Sequence, residues 1–120
     1  MSEKKILIAE DEKPMARAMK LKLENEGYIA DIANNGNEAV EGLKKGYDLL
    51  LLDLMMPELD GFGVLEARKK NNIKTPVIVS SNLSQQEDFA RAKELGAVDY
   101  FVKSDTPLTE VIERVKKALG

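Results

Sequence analysis

The feature that most constrains this chain is a five-fold alternation of short apolar runs with stretches of helical periodicity. Ile6-Leu7-Ile8-Ala9 has the length of a strand. Pro14 then sits where a first helical turn tolerates it, and Met15, Met19 and Leu23 carry a helical stripe ending at Gly27. Tyr28 to Ala33 reads as a second strand. Asn35 with Glu38 resembles a capping box, and Gly46 stops the helix that follows. Leu49 to Leu52 is a third strand, apolar on both faces, as in a parallel sheet covered by helices on each side. Gly61 to Lys70 is a helix with Val64, Leu65 and Arg68 at its spacing, ended by Asn71-Asn72. Pro76 starts a fourth buried strand, Val77-Ile78-Val79. Ser84-x-x-Glu87 reads as a second capping box, opening a helix that stops before Gly96. Asp99 to Val102 is a fifth strand, and Thr106-Pro107 opens a last helix carrying Leu108, Val111, Ile112, Val115 and Leu119.

Strand–helix alternation at this spacing implies right-handed crossovers and a parallel sheet. The expected fold is α/β, a doubly wound (βα)5 unit of flavodoxin-like strand order 2-1-3-4-5 with helices on both faces. At 120 residues, with no linker, repeat or low-complexity tract, residues 1–120 read as a single domain. Its initial Met and helical end favour a stand-alone chain with no effector domain.

The residue inventory removes several chemistries. With no cysteine there is no disulfide, thiolate metal site or cysteine nucleophile, and with no histidine there is no Ser-His-Asp triad and no His-ligated zinc. A formal charge of -3 gives no pull toward nucleic acid or an anionic membrane. The start, MSEKKILIAEDE, is too short and too acidic for a signal peptide, and no apolar run approaches a membrane span, so the expected location is the cytoplasm.

Ligands of such sheets sit beyond the carboxyl ends of the strands, at the switch point between strands one and three. The residues just past the strands are therefore the candidates. Strand one is followed by Glu10-Asp11, strand three by Asp53, strand four by Ser80-Ser81-Asn82 and strand five by Lys103. Each has an ordinary reading alone: a turn, a helix-terminal acid, a surface lysine. All of them together, at strand ends that meet, point to a site. Three crowded carboxylates repel and need a cation, for which magnesium (or manganese) with oxygen ligands is suited. A carboxylate beside such an ion, a lysine and a hydroxyl is a nucleophile toward a phosphoryl group.

At these residues the sequence resembles the CheY-like receiver domain of bacterial response regulators. The resemblance covers essentially the whole chain: Ile8-Ala9-Glu10-Asp11, Leu52-Asp53-Leu54-Met55-Met56-Pro57 with Asp60-Gly61, Pro76-Val77-Ile78-Val79-Ser80-Ser81, Gly96-Ala97 and Tyr100-Phe101-Val102-Lys103. It implies that Asp53 is a phosphoacceptor charged by a histidine kinase or a histidine phosphotransfer protein. It implies Asp11 as a direct magnesium ligand, Glu10 acting mainly through water, and the backbone carbonyl of Met55 as a further ligand beside Asp53. Ser81 would be the switch hydroxyl, Asn82 a backbone N–H contact to the phosphate, Tyr100 the aromatic that turns inward, and Lys103 the phosphate's ion-pair partner. The output would be read by a protein partner at the surface of helix four, strand five and helix five, from a monomer or a phosphorylation-dependent dimer.

Two positions depart from the family pattern. Ser104 stands where a proline usually follows the lysine in a cis bond; a cis bond before a non-proline residue costs about 2.5–4 kcal/mol, so trans is expected here. Asn82 stands where Ala or Gly is usual, and its side chain crowds or covers the site. Met55 and Leu83 are apolar beside the phosphate position, which predicts slow loss of the phosphoryl group. Phe89 shares a stripe with Ala92 and Leu95 and reads as core, with an exposed partner anchor as the other reading. The competing functions are a pseudo-receiver that binds partners without phosphorylation, a haloacid-dehalogenase-like phosphatase and a flavodoxin-type module. The phosphatase lacks its second acid, because Met55 occupies that position, and Glu10-Asp11-Glu12-Lys13 has the wrong charge for a flavin phosphate loop.

Overall fold

The computed structural model describes residues 3–83 and 85–120. Five parallel strands lie in the order β2-β1-β3-β4-β5: β1 (Lys5–Ala9), β2 (Ile29–Ala33), β3 (Leu49–Leu52), β4 (Val77–Ser81) and β5 (Asp99–Val102). They alternate with α1 (Lys13–Asn25), α2 (Gly36–Leu43), α3 (Gly61–Lys70), α4 (Gln86–Glu94) and α5 (Leu108–Leu119). This is the expected doubly wound arrangement, with strands added to one side of β1 and then to the other, so that the switch point lies between β1 and β3.

The pleat divides the core into two layers. Leu7, Ala9, Leu50, Leu52, Val77 and Val79 pack with Ala39, Leu43, Val64, Leu65 and Ala92 from α2, α3 and α4. Ile6, Ile8, Leu49, Leu51, Ile78 and Phe101 pack with Met19, Leu23, Val111, Ile112 and Val115 from α1 and α5. The leucine run of β3 serves both layers, which is why it does not alternate. At about 25 cal/mol per Å2 of apolar area, each buried leucine contributes roughly 1.5–3 kcal/mol.

Several local expectations hold in altered form. Asn35 caps α2 by accepting the Glu38 N–H at 2.9 Å, but the Glu38 carboxylate reaches back to the Asn34 N–H at 2.8 Å, one residue earlier than a regular capping box. β4 extends two residues beyond Val79, because Ser80 and Ser81 pair with Phe101 and Val102 of β5. The Thr106 hydroxyl donates to the Val102 carbonyl at 2.8 Å rather than capping α5, and a short 3-10 turn over Lys103–Asp105 separates β5 from that helix. The Ser84 capping box lies outside the described residues. No cis peptide bond occurs among the described residues, so the Lys103–Ser104 bond is trans as expected.

Candidate functional site

The carboxyl ends of β1, β3, β4 and β5 converge at the switch point. The register continues past the strands: Asp53 N–H donates to the Ala9 carbonyl at 2.9 Å, and Glu10 N–H to the Ala33 carbonyl at 3.1 Å. Glu10 and Asp53 are thereby held side by side, both almost fully buried. Behind Asp53 stands the rigid leucine strand; in front, the chain turns sharply into α3. Gly61 makes that turn possible, since a Cβ there would lie 2.6 Å from the Asp53 carbonyl oxygen and from Leu54 Cα. Asp60 then caps α3 by accepting the Gly63 N–H at 2.8 Å.

Carboxylate oxygens of Glu10, Asp11 and Asp53 lie within 4.8 Å of one another. Asp11 is exposed, so the cluster opens to solvent on its side. Lys103 closes the opposite side, with its side chain only 5 % exposed. Its Nζ donates to Glu10 Oε1 at 2.9 Å, to Asp53 Oδ2 at 3.3 Å and to Glu12 Oε1 at 3.4 Å. The other Asp53 oxygen accepts the Met55 N–H at 3.2 Å. Three carboxylates thus share one ammonium, and Asp11 adds a fourth acid to the cluster.

The electrostatics follow from that imbalance. Burial, and then the neighbouring Glu10 charge, push the Asp53 carboxyl up from its ordinary 3.8 to about 7, against the opposing pull of Lys103 and the Met55 N–H. Burial alone would lower the Lys103 ammonium, but its bond to Glu10 and the charge of Asp53 more than offset this and raise it. Lys103 therefore stays charged near neutral pH, while Asp53 is balanced between its two forms. All-oxygen donors, a charge excess and one open side match what a hard divalent cation requires.

The remaining expected residues surround this cluster without all touching it. Ser81 is fully buried, and its Oγ accepts the Leu83 N–H at 3.1 Å. Tyr100 is half-buried; its hydroxyl donates to the Leu83 carbonyl at 2.9 Å. Its ring meets Phe89 edge-on at 4.4 Å, so Phe89 is neither full core nor free anchor. Asn82 is exposed and accepts the Ser104 N–H at 3.0 Å. Met55 is 62 % exposed, and with Leu83, Met56 and Pro57 it lines an open apolar hollow beside Asp11. Sequence reasoning missed Glu12 as a third partner of Lys103; the acid run at 10–12 was its only signal. It also missed Leu83, whose backbone is the shared partner of Ser81 and Tyr100 and carries no signal.

With this geometry in place, comparison with known proteins is decisive. Residues 6–116 match the family profile of the response regulator receiver domain. The chain belongs to that family. It is 40 % identical over 119 residues to the transcriptional regulatory protein ResD of Bacillus subtilis, covering 98 % of this chain and 49 % of the relative. It is 38 % identical over 116 residues to the transcriptional regulatory protein PcoR of Escherichia coli, covering 96 % and 51 %. The chain thus spans about half the length of these curated relatives. Among solved structures, the receiver domain of Francisella response regulator 1452 superposes with a TM-score of 0.91 at 36 % identity, covering 97 % of this chain and 96 % of that one. A CheY-like receiver domain from Methanospirillum hungatei does so with a TM-score of 0.90 at 27 % identity, covering 98 % and 94 %. This receiver domain has no helix, among its described residues, long and apolar enough to cross a membrane.

Proposed function

We propose that this receiver domain is a phosphorylation-driven switch whose acceptor is Asp53. The observation that carries the reading is the placement of one buried carboxylate, with an unsaturated demand for positive charge, between Lys103 and two further carboxylates. An Asp53 carboxylate oxygen attacks the phosphorus of a phosphohistidine on a histidine kinase or phosphotransfer protein. The P–O bond forms as the P–N bond breaks, and the imidazole leaves with its electron pair and takes up a proton. The product is an acyl phosphate on Asp53.

Glu10, Asp11 and Asp53, with the Met55 carbonyl, are the groups that would hold a magnesium or manganese ion. When bound, the ion neutralises charge on the transferring phosphoryl oxygens. Lys103 already lies against Asp53 and supplies the second positive charge. The Asn82 N–H and the Ser81 hydroxyl, at the carboxyl end of β4, are the further donors that would complete the cradle. The Ser81 hydroxyl is engaged with the Leu83 N–H, so meeting a phosphoryl group at Asp53 requires it to be redirected, and the connection that carries it moves with it. Movement of Ser81 releases the Leu83 tether on Tyr100, and the surface of α4, β5 and α5 changes shape. Only contacts that differ between the two states can drive this, and the phosphoryl oxygens provide them. That surface is where a protein partner would bind, with no nucleic acid contact by this domain itself.

The test is intact mass after incubation with acetyl phosphate and magnesium. One added phosphoryl group is expected, absent from Asp53→Ala and from a sample with chelator. No added mass, together with no binding of beryllofluoride, would overturn the reading in favour of partner binding without phosphorylation. Release of phosphate from unrelated monoesters would instead favour a phosphatase.

A further inference from the structure

Two loops meet at the mouth of the site. The β4–α4 connection carries Ser81 and Asn82, and the turn after β5 carries Lys103 and Ser104. They are tied through a side chain: the Ser104 N–H donates to Asn82 Oδ1 at 3.0 Å, across 22 residues of sequence. Both partners matter to the tie. Proline at 104 would have no N–H to give, and alanine or glycine at 82 would have no acceptor.

The same connection is held at its next residue. Leu83 gives its N–H to Ser81 Oγ at 3.1 Å and takes the Tyr100 hydroxyl on its carbonyl at 2.9 Å. The turn on the other side of the tie is pinned independently. Lys103 is fixed by three carboxylates, and Thr106 by its bond to the Val102 carbonyl. The Asn82 tie therefore joins a segment that has to move to one that is anchored.

We infer that Asn82 is a positioning residue whose side chain latches the Ser81 loop to the Lys103 turn and so holds the switch at rest. The inference rests on the reading above, in which Ser81 and the Asn82 N–H converge on a phosphoryl group at Asp53. Bringing both there displaces segment 81–83 relative to the anchored turn. A hydrogen bond at 3.0 Å does not survive a displacement of about an ångström or more. The latch therefore exists only in the resting state, and removing it raises the share of molecules able to accept the ligand.

The experiment uses the full chain, with beryllofluoride and magnesium as the phosphoryl probe and fluorine NMR as the readout. Asn82→Leu keeps bulk near the phosphate position but loses the acceptor. Ser104→Pro loses the donor and leaves Asn82 untouched. Each is expected to bind about two- to five-fold more tightly than the parent, the range of one exposed hydrogen bond. The double variant should gain no more than either single one, because both remove the same bond. In the ligand-free protein, amide exchange at Leu83 should quicken in both variants. Unchanged or weaker affinity in the single variants, or additive gains in the double variant, overturns the latch while leaving Asp53 as acceptor. Failure of the parent to bind beryllofluoride at all would remove the acceptor reading, and the latch with it.

Discussion

Replacing Asp53 by Asn is expected to stabilise the metal-free protein while abolishing its chemistry. The magnitude follows from the site. Asp53 is 3 % exposed, and its carboxyl is raised from 3.8 to about 7. A carboxyl whose folded value is raised costs nothing while protonated in both states. The cost begins as pH rises past the unfolded value near 4, grows until about pH 7, and is constant above it. At 1.36 kcal/mol for each tenfold change in proton affinity, the rise from 3.8 to about 7 sets a ceiling of about 4 kcal/mol, which relaxation around the site reduces to about 2–4. Asparagine carries no charge to desolvate, still accepts the Met55 N–H, and leaves Lys103 paired with Glu10 and Glu12. Urea unfolding with chelator at about pH 8 should therefore show the variant more stable by about 2–4 kcal/mol, shrinking to about 1 near pH 5. Millimolar magnesium should stabilise the parent and not the variant. A variant less stable than the parent at pH 8 would refute the account, because it would make the ionised Asp53 a net contributor to folding.

Magnesium affinity of the parent should weaken as pH falls through about 7, since protonating Asp53 removes a ligand; a titration at several pH values checks this, and a flat profile would exclude Asp53 as a ligand. Met55→Asn should speed loss of the phosphoryl group by about tenfold or more, the order expected when a polar group positions water, and an unchanged rate would show that the apolar flank is irrelevant. The Ser80 hydroxyl is buried with no partner among the described residues, so Ser80→Ala should stabilise by about 1 kcal/mol; destabilisation would reveal a hidden partner. Gly36→Ala should destabilise by at least about 2–3 kcal/mol, because the new methyl would collide with the Leu59 backbone, and a variant of parental stability would contradict that packing.

The strands were legible where burial leaves a continuous apolar run, as at Leu49–Leu52, and helix ends where a glycine takes positive φ, as at Gly27, Gly46 and Gly96. Asp53, Lys103 and the acidic pair were legible because topology alone brings strand ends together. β4 looked two residues too short because serines read as a turn, whereas a neighbouring edge strand satisfies their backbone and keeps them inside. The resting position of Ser81 was not legible, because its partner is a main-chain N–H that any residue supplies. Nor was the tie between Asn82 and Ser104, which exists only after two distant loops have been placed by the sheet.

Lys103 reaches back 93 residues to Glu10 and 50 to Asp53. The acids are synthesised first and the cation that balances them only later, in the turn that follows β5 at one edge of the sheet. A nascent or clipped chain ending before residue 103 would carry the clustered negative charge without its counterpart. Such a fragment would lack the ion pairs that hold Glu10 and Asp53 beside one another. Charge balance at this cluster is thereby conditional on synthesis through residue 103 and on β5 closing its edge of the sheet.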